Sequence, residues 1–132
     1  MAAVGATSQE PSRHSVRDDI VRRFESGIES SRTHAASAEK AGRLADDTAA
    51  ELLSAGVARL YLPESLGGLE VDPVTCATVT ERIARADPSA AWFVMVANSA
   101  KLMAACWPEA AVEHRLAVDP VVVIAAGGNR RF

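Results

Sequence analysis

A chain of 132 residues with a formal net charge of −3 is long enough for one domain, burying roughly two-thirds of the surface its unfolded form exposes. Its basic residues are scattered, with only Arg22-Arg23 and Arg130-Arg131 adjacent, so the positive field that a phosphate backbone demands is missing and nucleic acid is excluded as a partner. Apolar residues make up 48% but aromatics only 5%, so the core is expected to rest on a few large side chains: Phe24, Leu52, Leu53, Leu60, Ile83, Trp92, Phe93 and Leu102.

Residues 1–14 mix Gly, Ser, Gln, Pro and single charges without period, which predicts a disordered tail. They lack the basic segment and sustained apolar stretch of a secretory signal, and Pro11 interrupts any amphipathic presequence, so a cytoplasmic chain is expected. From Ser15 the pattern changes. Ile20, Phe24 and Ile28 recur at four-residue spacing, continued by Ala35 and Ala38, and predict one long first helix over residues 15–41, weakened at Gly27. Asp46 or Asp47 opens a second helix, with Ala50, Leu52 and Leu53 expected inward, and Gly56 supplies its left-handed closing residue.

Residues 57–62 read as a buried connector, and Pro63 forbids helix at Leu62. Gly67-Gly68 is expected to turn the chain with positive φ, which a side chain would oppose. Asp72-Pro73 and Asp87-Pro88 each read as an N-cap followed by proline at the first helical position, where the missing N–H has no intrahelical partner to lose. The third helix is expected to bury Val74, Ala77, Thr78 and Ile83 and to leave Glu81, Arg82 and Arg85 wet. The fourth is apolar nearly all round, which places it in the middle of a bundle. Asn98, Ser99 and Lys101 sit in the middle of this run, at positions too costly for a membrane span, so no membrane association is expected. Pro108 begins a fifth helix to about residue 117. Val121-Val122-Val123-Ile124 then reads as a strand whose backbone groups need a second strand to pair with.

Several of these features recur together in a known order. Ala55-Gly56, Leu62-Pro63-Glu64, Gly67-Gly68 and Ala84-Arg85-Ala86-Asp87 ahead of Ser89-Ala90-Ala91-Trp92 resemble the amino-terminal helical domain of the acyl-CoA dehydrogenase superfamily, including its flavin-dependent monooxygenase branch. The resemblance spans about residues 16–125. It implies an all-α bundle of about five helices in residues 15–120, with residues 121–132 starting a β-domain that the chain does not contain, so that its one strand lacks a sheet. Gly127-Gly128-Asn129-Arg130 departs from the family's entry into that domain. The implied cofactor is FAD or FMN, and the implied substrate an acyl-CoA or an aromatic small molecule. In the family the catalytic groups and most flavin-binding groups lie beyond this segment, which implies an isolated chain without catalysis.

The residues themselves agree. Ser37 and Ser54 lack a neighbouring base, and His14, His34 and His114 are expected to be solvent-facing helix residues. Glu64 is expected to bond the amides of its own turn. Gly127-Gly128 lacks the third glycine, the following helix and the acidic residue of a dinucleotide fingerprint. Cys76 and Cys106 stand apart from each other and from any histidine at ligand spacing, so no metal site is expected and a reduced chain is the economical reading. The resemblance assigns the helix that follows Pro88 to a substrate-pocket wall, and Val96, Ser99 and Met103 fit one face of it as pocket candidates, with ordinary core packing as the blander role. Asn98, polar inside an apolar helix, is expected to cap a buried carbonyl, with contact to substrate as the alternative. The alternative to a flavoenzyme domain is a freestanding helical module that uses its uncovered apolar surface for protein interaction or homo-oligomerisation.

Overall fold

The computed structural model describes residues 13–104 together with Trp107, Pro108, Ala110, Ala111 and His114. Over these residues the chain is all-α: α1 (Arg13–Arg22), α2 (Glu25–Ala41), α3 (Asp46–Ala55), α4 (Pro73–Ala84) and α5 (Pro88–Ala104), with 3-10 turns at Val57–Arg59 and Glu64–Leu66 between α3 and α4. The strand expected at residues 121–124 lies outside the described residues, as does most of the helix expected after Pro108.

The expected first helix is two helices. The break falls at Arg23 and Phe24, where the amides switch to i−3 carbonyls, Phe24 N–H reaching Val21 O at 3.0 Å, before α2 resumes with Ile28 N–H on Phe24 O at 2.8 Å. Phe24 sits at φ −99° and ψ 0° with its ring wholly buried, so the tighter turn aims the largest side chain of this region into the core. Gly27 is not a weakness. A Cβ there would stand 2.6 Å from Leu52 Cδ2, so glycine lets α2 and α3 approach closely. The same two helices share polar bonds: Ser30 Oγ and Thr48 Oγ1 are 3.0 Å apart, and Ser26 Oγ donates to Glu51 at 2.6 Å. Thr48, rather than the exposed Ala50, faces inward beside Leu52.

Phe24, Leu52, Val57, Leu60, Val79, Ile83 and Val94 form the core. On α4 the buried positions are Thr75, Cys76, Val79 and Ile83, so the helix is rotated from the expected face and Val74 stands 56% exposed. Both Asp-Pro starts behave as read: Asp72 Oδ1 accepts from Val74 N at 2.9 Å and Thr75 N at 3.1 Å, and Asp87 Oδ1 accepts from Ser89 N at 2.8 Å. α3 closes on Gly56 at φ +95°.

The two glycines of the turn serve different ends. Gly67 takes φ +77°, as expected of a residue that must turn left-handed. Gly68 does not have positive φ; an added Cβ would lie 1.8 Å from Leu62 O, so glycine is required there by close backbone approach. Residues 60–71 fold back along the first 3-10 turn through Leu69 N–H to Arg59 O, Glu70 N–H to Leu62 O and Val71 N–H to Leu60 O, all within 3.0 Å. The carboxylate that caps this turn is Glu70, whose Oε2 accepts from Glu64 N at 2.9 Å, and not Glu64 itself. Glu70 is the only non-glycine residue with positive φ among those described.

Candidate functional site

α5 is apolar on every side, so its sequence does not announce which side faces in. The structure buries Ala90, Ala91, Val94, Ala97, Asn98 and Lys101 and turns Trp92, Met95, Ser99 and Leu102 outward. Trp92 at 65% and Leu102 at 59% exposed were expected in the core. They stand outside because the inner face, mostly alanine and valine, allows α5 to lie close against the 3-10 turn at Val57–Arg59 and against α4.

Asn98 holds that approach. Its Nδ2 donates to Val57 O and to Val94 O, each at 2.8 Å, and its Oδ1 accepts from Leu60 N at 3.0 Å. The buried carbonyl that Asn98 was expected to cap is found: Val57 O in the connector, with Val94 O of its own helix beside it. One helical turn on, the buried Lys101 Nζ donates to Ala58 O.

A groove of ≈ 420 Å³ runs between α4 and α5, with Cys76 and Asn98 at its floor, Ala77, Met95 and Ser99 on its walls and Tyr61 at one end. Its hydroxyls are largely committed: Ser99 Oγ donates to Met95 O at 2.8 Å and Thr80 Oγ1 to Cys76 O at 2.9 Å. The neighbouring Cys76 thiol and then burial push the pKa of the Tyr61 phenol up to about 12, so it stays protonated at neutral pH. Cys76 is a free, buried thiol. The lining of this groove is therefore mainly apolar, and its polar groups are largely satisfied within the chain.

A larger groove, ≈ 620 Å³, lies between α1 and residues 64–75, lined by Val16, Ile20, Leu69, Val71 and Val74 together with Arg17, Glu64, Glu70 and Asp72. Two of its carboxylates are already engaged in holding backbone, Glu70 on the turn and Asp72 on α4. The Asp72 carboxyl is held below its ordinary range, first by the Thr75 hydroxyl and then by the Thr75 amide.

Of the candidates from sequence, Ser99 lines the α4–α5 groove, Val96 is half-buried on the flank of α5, and Met103 lies on α5 with a side chain outside those described. Trp92 and Met95 share the open face with Ser99; the sequence reading placed Trp92 in the core and gave Met95 no role. Their spacing of three and four residues was the available signal, obscured because the opposite face is equally apolar. His34 is half-buried rather than solvent-facing, its Nδ1 lying 3.4 Å from both Ser30 Oγ and Thr48 Oγ1. No group of three or more His, Cys, Asp or Glu able to hold a metal occurs among the described residues. Nor is any helix among them long and apolar enough to cross a membrane.

The chain is thus an all-α bundle whose most apolar helix, α5, leaves one face exposed beside a groove. The sequence pattern of the family described as "Acyl-CoA dehydrogenase, N-terminal domain" matches residues 12–110, and the chain belongs to that family. A "Pigment production hydroxylase" of Rhodococcus erythropolis is 38% identical over 79 residues, 60% of this chain and 17% of the relative. The solved structure titled "XiaF from Streptomyces sp. in complex with FADH2 and Glycerol" superimposes with a TM-score of 0.77 at 27% identity, over 83% of this chain and 28% of that one. The chain thus spans less than a third of either.

Proposed function

We propose that this chain is the amino-terminal helical wall of a flavin-dependent hydroxylase, with residues 1–14 as a tail, 15–120 as the helical domain and 121–132 as the start of a β-domain. The observation that carries the reading is the open face of α5, where Trp92, Met95 and Leu102 stand exposed beside Ser99 and the α4–α5 groove. A face of that composition is suited to cover a flat apolar substrate once other domains close over it. Val96, Ser99 and Met103, joined by Trp92 and Met95, are the proposed lining. One relative named a hydroxylase and one structure that holds FADH2 support oxygenation of an aromatic compound over dehydrogenation of an acyl thioester.

The starts of α2, α3, α4 and α5 do not fit the phosphate groups of FAD or FMN. A dinucleotide's pyrophosphate is commonly held at a helix N-terminus by free amides and the positive end of the dipole. Here the first amides of α4 and α5 are taken by Asp72 and Asp87, and α2 and α3 open on Glu25 and on Asp46-Asp47. Each of these ends presents negative charge. The chain is therefore read as lending a wall to the substrate side, without anchoring the cofactor and without catalysis of its own, in a cytoplasmic protein.

A chimera in which residues 15–104 replace the matching segment of the Rhodococcus hydroxylase tests this reading. Hydroxylation is expected to persist, with a substrate preference that shifts on Met95→Ala and on Ser99→Ala. An active chimera whose preference ignores both substitutions removes the wall role, and flavin retained with turnover by the isolated chain overturns the inactivity. The same bare face supports a second reading, a self-associating helical module. A single discrete dimer in sedimentation, abolished by Trp92→Ser, would favour it.

A further inference from the structure

We propose that Asn98 and Lys101 are positioning residues that set the rotation of α5 about its own axis and thereby decide which of its faces is presented as the wall. Hydrophobic burial alone would choose otherwise. The inner face carries Ala90, Ala91, Val94 and Ala97, whereas the outer face carries the larger Trp92, Met95 and Leu102, so turning the helix over would bury more apolar area than the observed state does. What the observed state has in exchange is polar. Asn98 satisfies Val57 O and Leu60 N as well as Val94 O of its own helix, and Lys101 reaches Ala58 O, so two side chains one turn apart engage three backbone groups of the 57–60 connector.

Rotating α5 by half a turn would carry both groups away from these partners. It would leave carbonyls of Val57 and Ala58 and the amide of Leu60 buried without them, since Val57, Ala58 and Leu60 are each no more than 1% exposed. A buried polar group that costs little when matched and much when mismatched is the same device by which a core asparagine specifies register in a coiled coil. The connector in turn carries residues 60–71, which bond back along it, so the orientation of α5 and the seating of the Tyr61 end of the groove are set by the same contacts.

This inference concerns the wall proposed above, but its test reads rotation alone, so failure of one is distinguishable from failure of the other. In the full chain with Cys76→Ala and Cys106→Ala, a single cysteine is placed at the outer Met95 or the inner Val94 and its rate of reaction with a maleimide is measured. The outer thiol is expected to react faster by roughly 100-fold, because the inner one is reached only through opening of the helix. With Asn98→Leu and Lys101→Met added, the gap is expected to fall below about tenfold while far-UV circular dichroism retains its helical amplitude. A folded double variant that keeps the full gap overturns the proposal. If the double variant does not fold, Lys101→Met alone serves: an intermediate gap supports the assignment and an unchanged gap overturns it.

Discussion

Phe24, Leu52, Leu60 and Ile83 are wholly buried, whereas Trp92 and Leu102, also large and apolar, stand 65% and 59% exposed on α5. The first group lies on helices and a connector whose other faces are polar, so burial has one way to orient them. α5 has no polar face to keep wet, and its orientation follows instead from small residues that permit close approach and from two polar side chains that find backbone partners. Size predicts burial only where the sequence offers a contrast. In this family member the exception coincides with the face proposed to meet substrate, as is expected of surface kept bare for a later partner.

The largest effect expected on the packed side comes from Gly68→Ala. The new methyl would have to occupy the space of Leu62 O, a backbone atom already bonded to Glu70 N–H, so residues 60–71 must part from the connector. A loss above about 4 kcal/mol, in the rare range reserved for such clashes, is expected in urea unfolding. A loss under about 1 kcal/mol would mean that this seal is not rigid. Phe24→Ala follows, at roughly 3–5 kcal/mol for a wholly buried ring of the core cluster, and it should lower the midpoint without changing the denaturant slope.

These contrasts also show how far the sequence can be read. The helix starts at Asp72 and Asp87 and the closures at Gly56 and Gly67 were legible because each rests on a local hydrogen bond or a local φ. Gly27 and Gly68 were visible as glycines but their purposes were not, because each answers to a distant atom, Leu52 Cδ2 and Leu62 O. The break at Phe24 was hidden for a related reason: the four-residue apolar spacing continues through it, and only tertiary packing demands the tighter turn. At the candidate site Asn98 was legible, being a polar residue in an apolar run, whereas the outward face of α5 was not. Glu70, which takes the capping role expected of Glu64, carries no residue-type signal for positive φ.

Smaller effects sharpen the same comparison. Gly67→Ala meets open space but must hold φ +77°, and a cost of about 1–2 kcal/mol is expected, well short of its neighbour's. Equal losses at the two glycines would erase the distinction between a conformational and a packing requirement. Trp92→Ala should change stability by less than about 0.5 kcal/mol, since most of the ring is already in water. A loss comparable to that of Phe24→Ala would mean that the face is covered in solution, and sedimentation would then have to reveal by what.

The smallest expected effect is a pH dependence at Asp72. Its carboxyl accepts from the hydroxyl and amide of Thr75 and from the amide of Val74, and these donors hold its folded pKa below the unfolded value of about 3.9. A depressed carboxylate contributes stability that is present in full above the unfolded pKa and disappears as pH falls through the folded one. Asp72→Ala should therefore be less stable than the parent at neutral pH, and the difference should shrink only below about pH 4. Because the group is fully exposed, added salt should weaken the dipole part of the contribution while leaving the hydrogen-bonded cap. A difference between the two proteins that stays constant down to pH 2 would show that Asp72 acts by shape alone, and that the start of α4 does not depend on its charge.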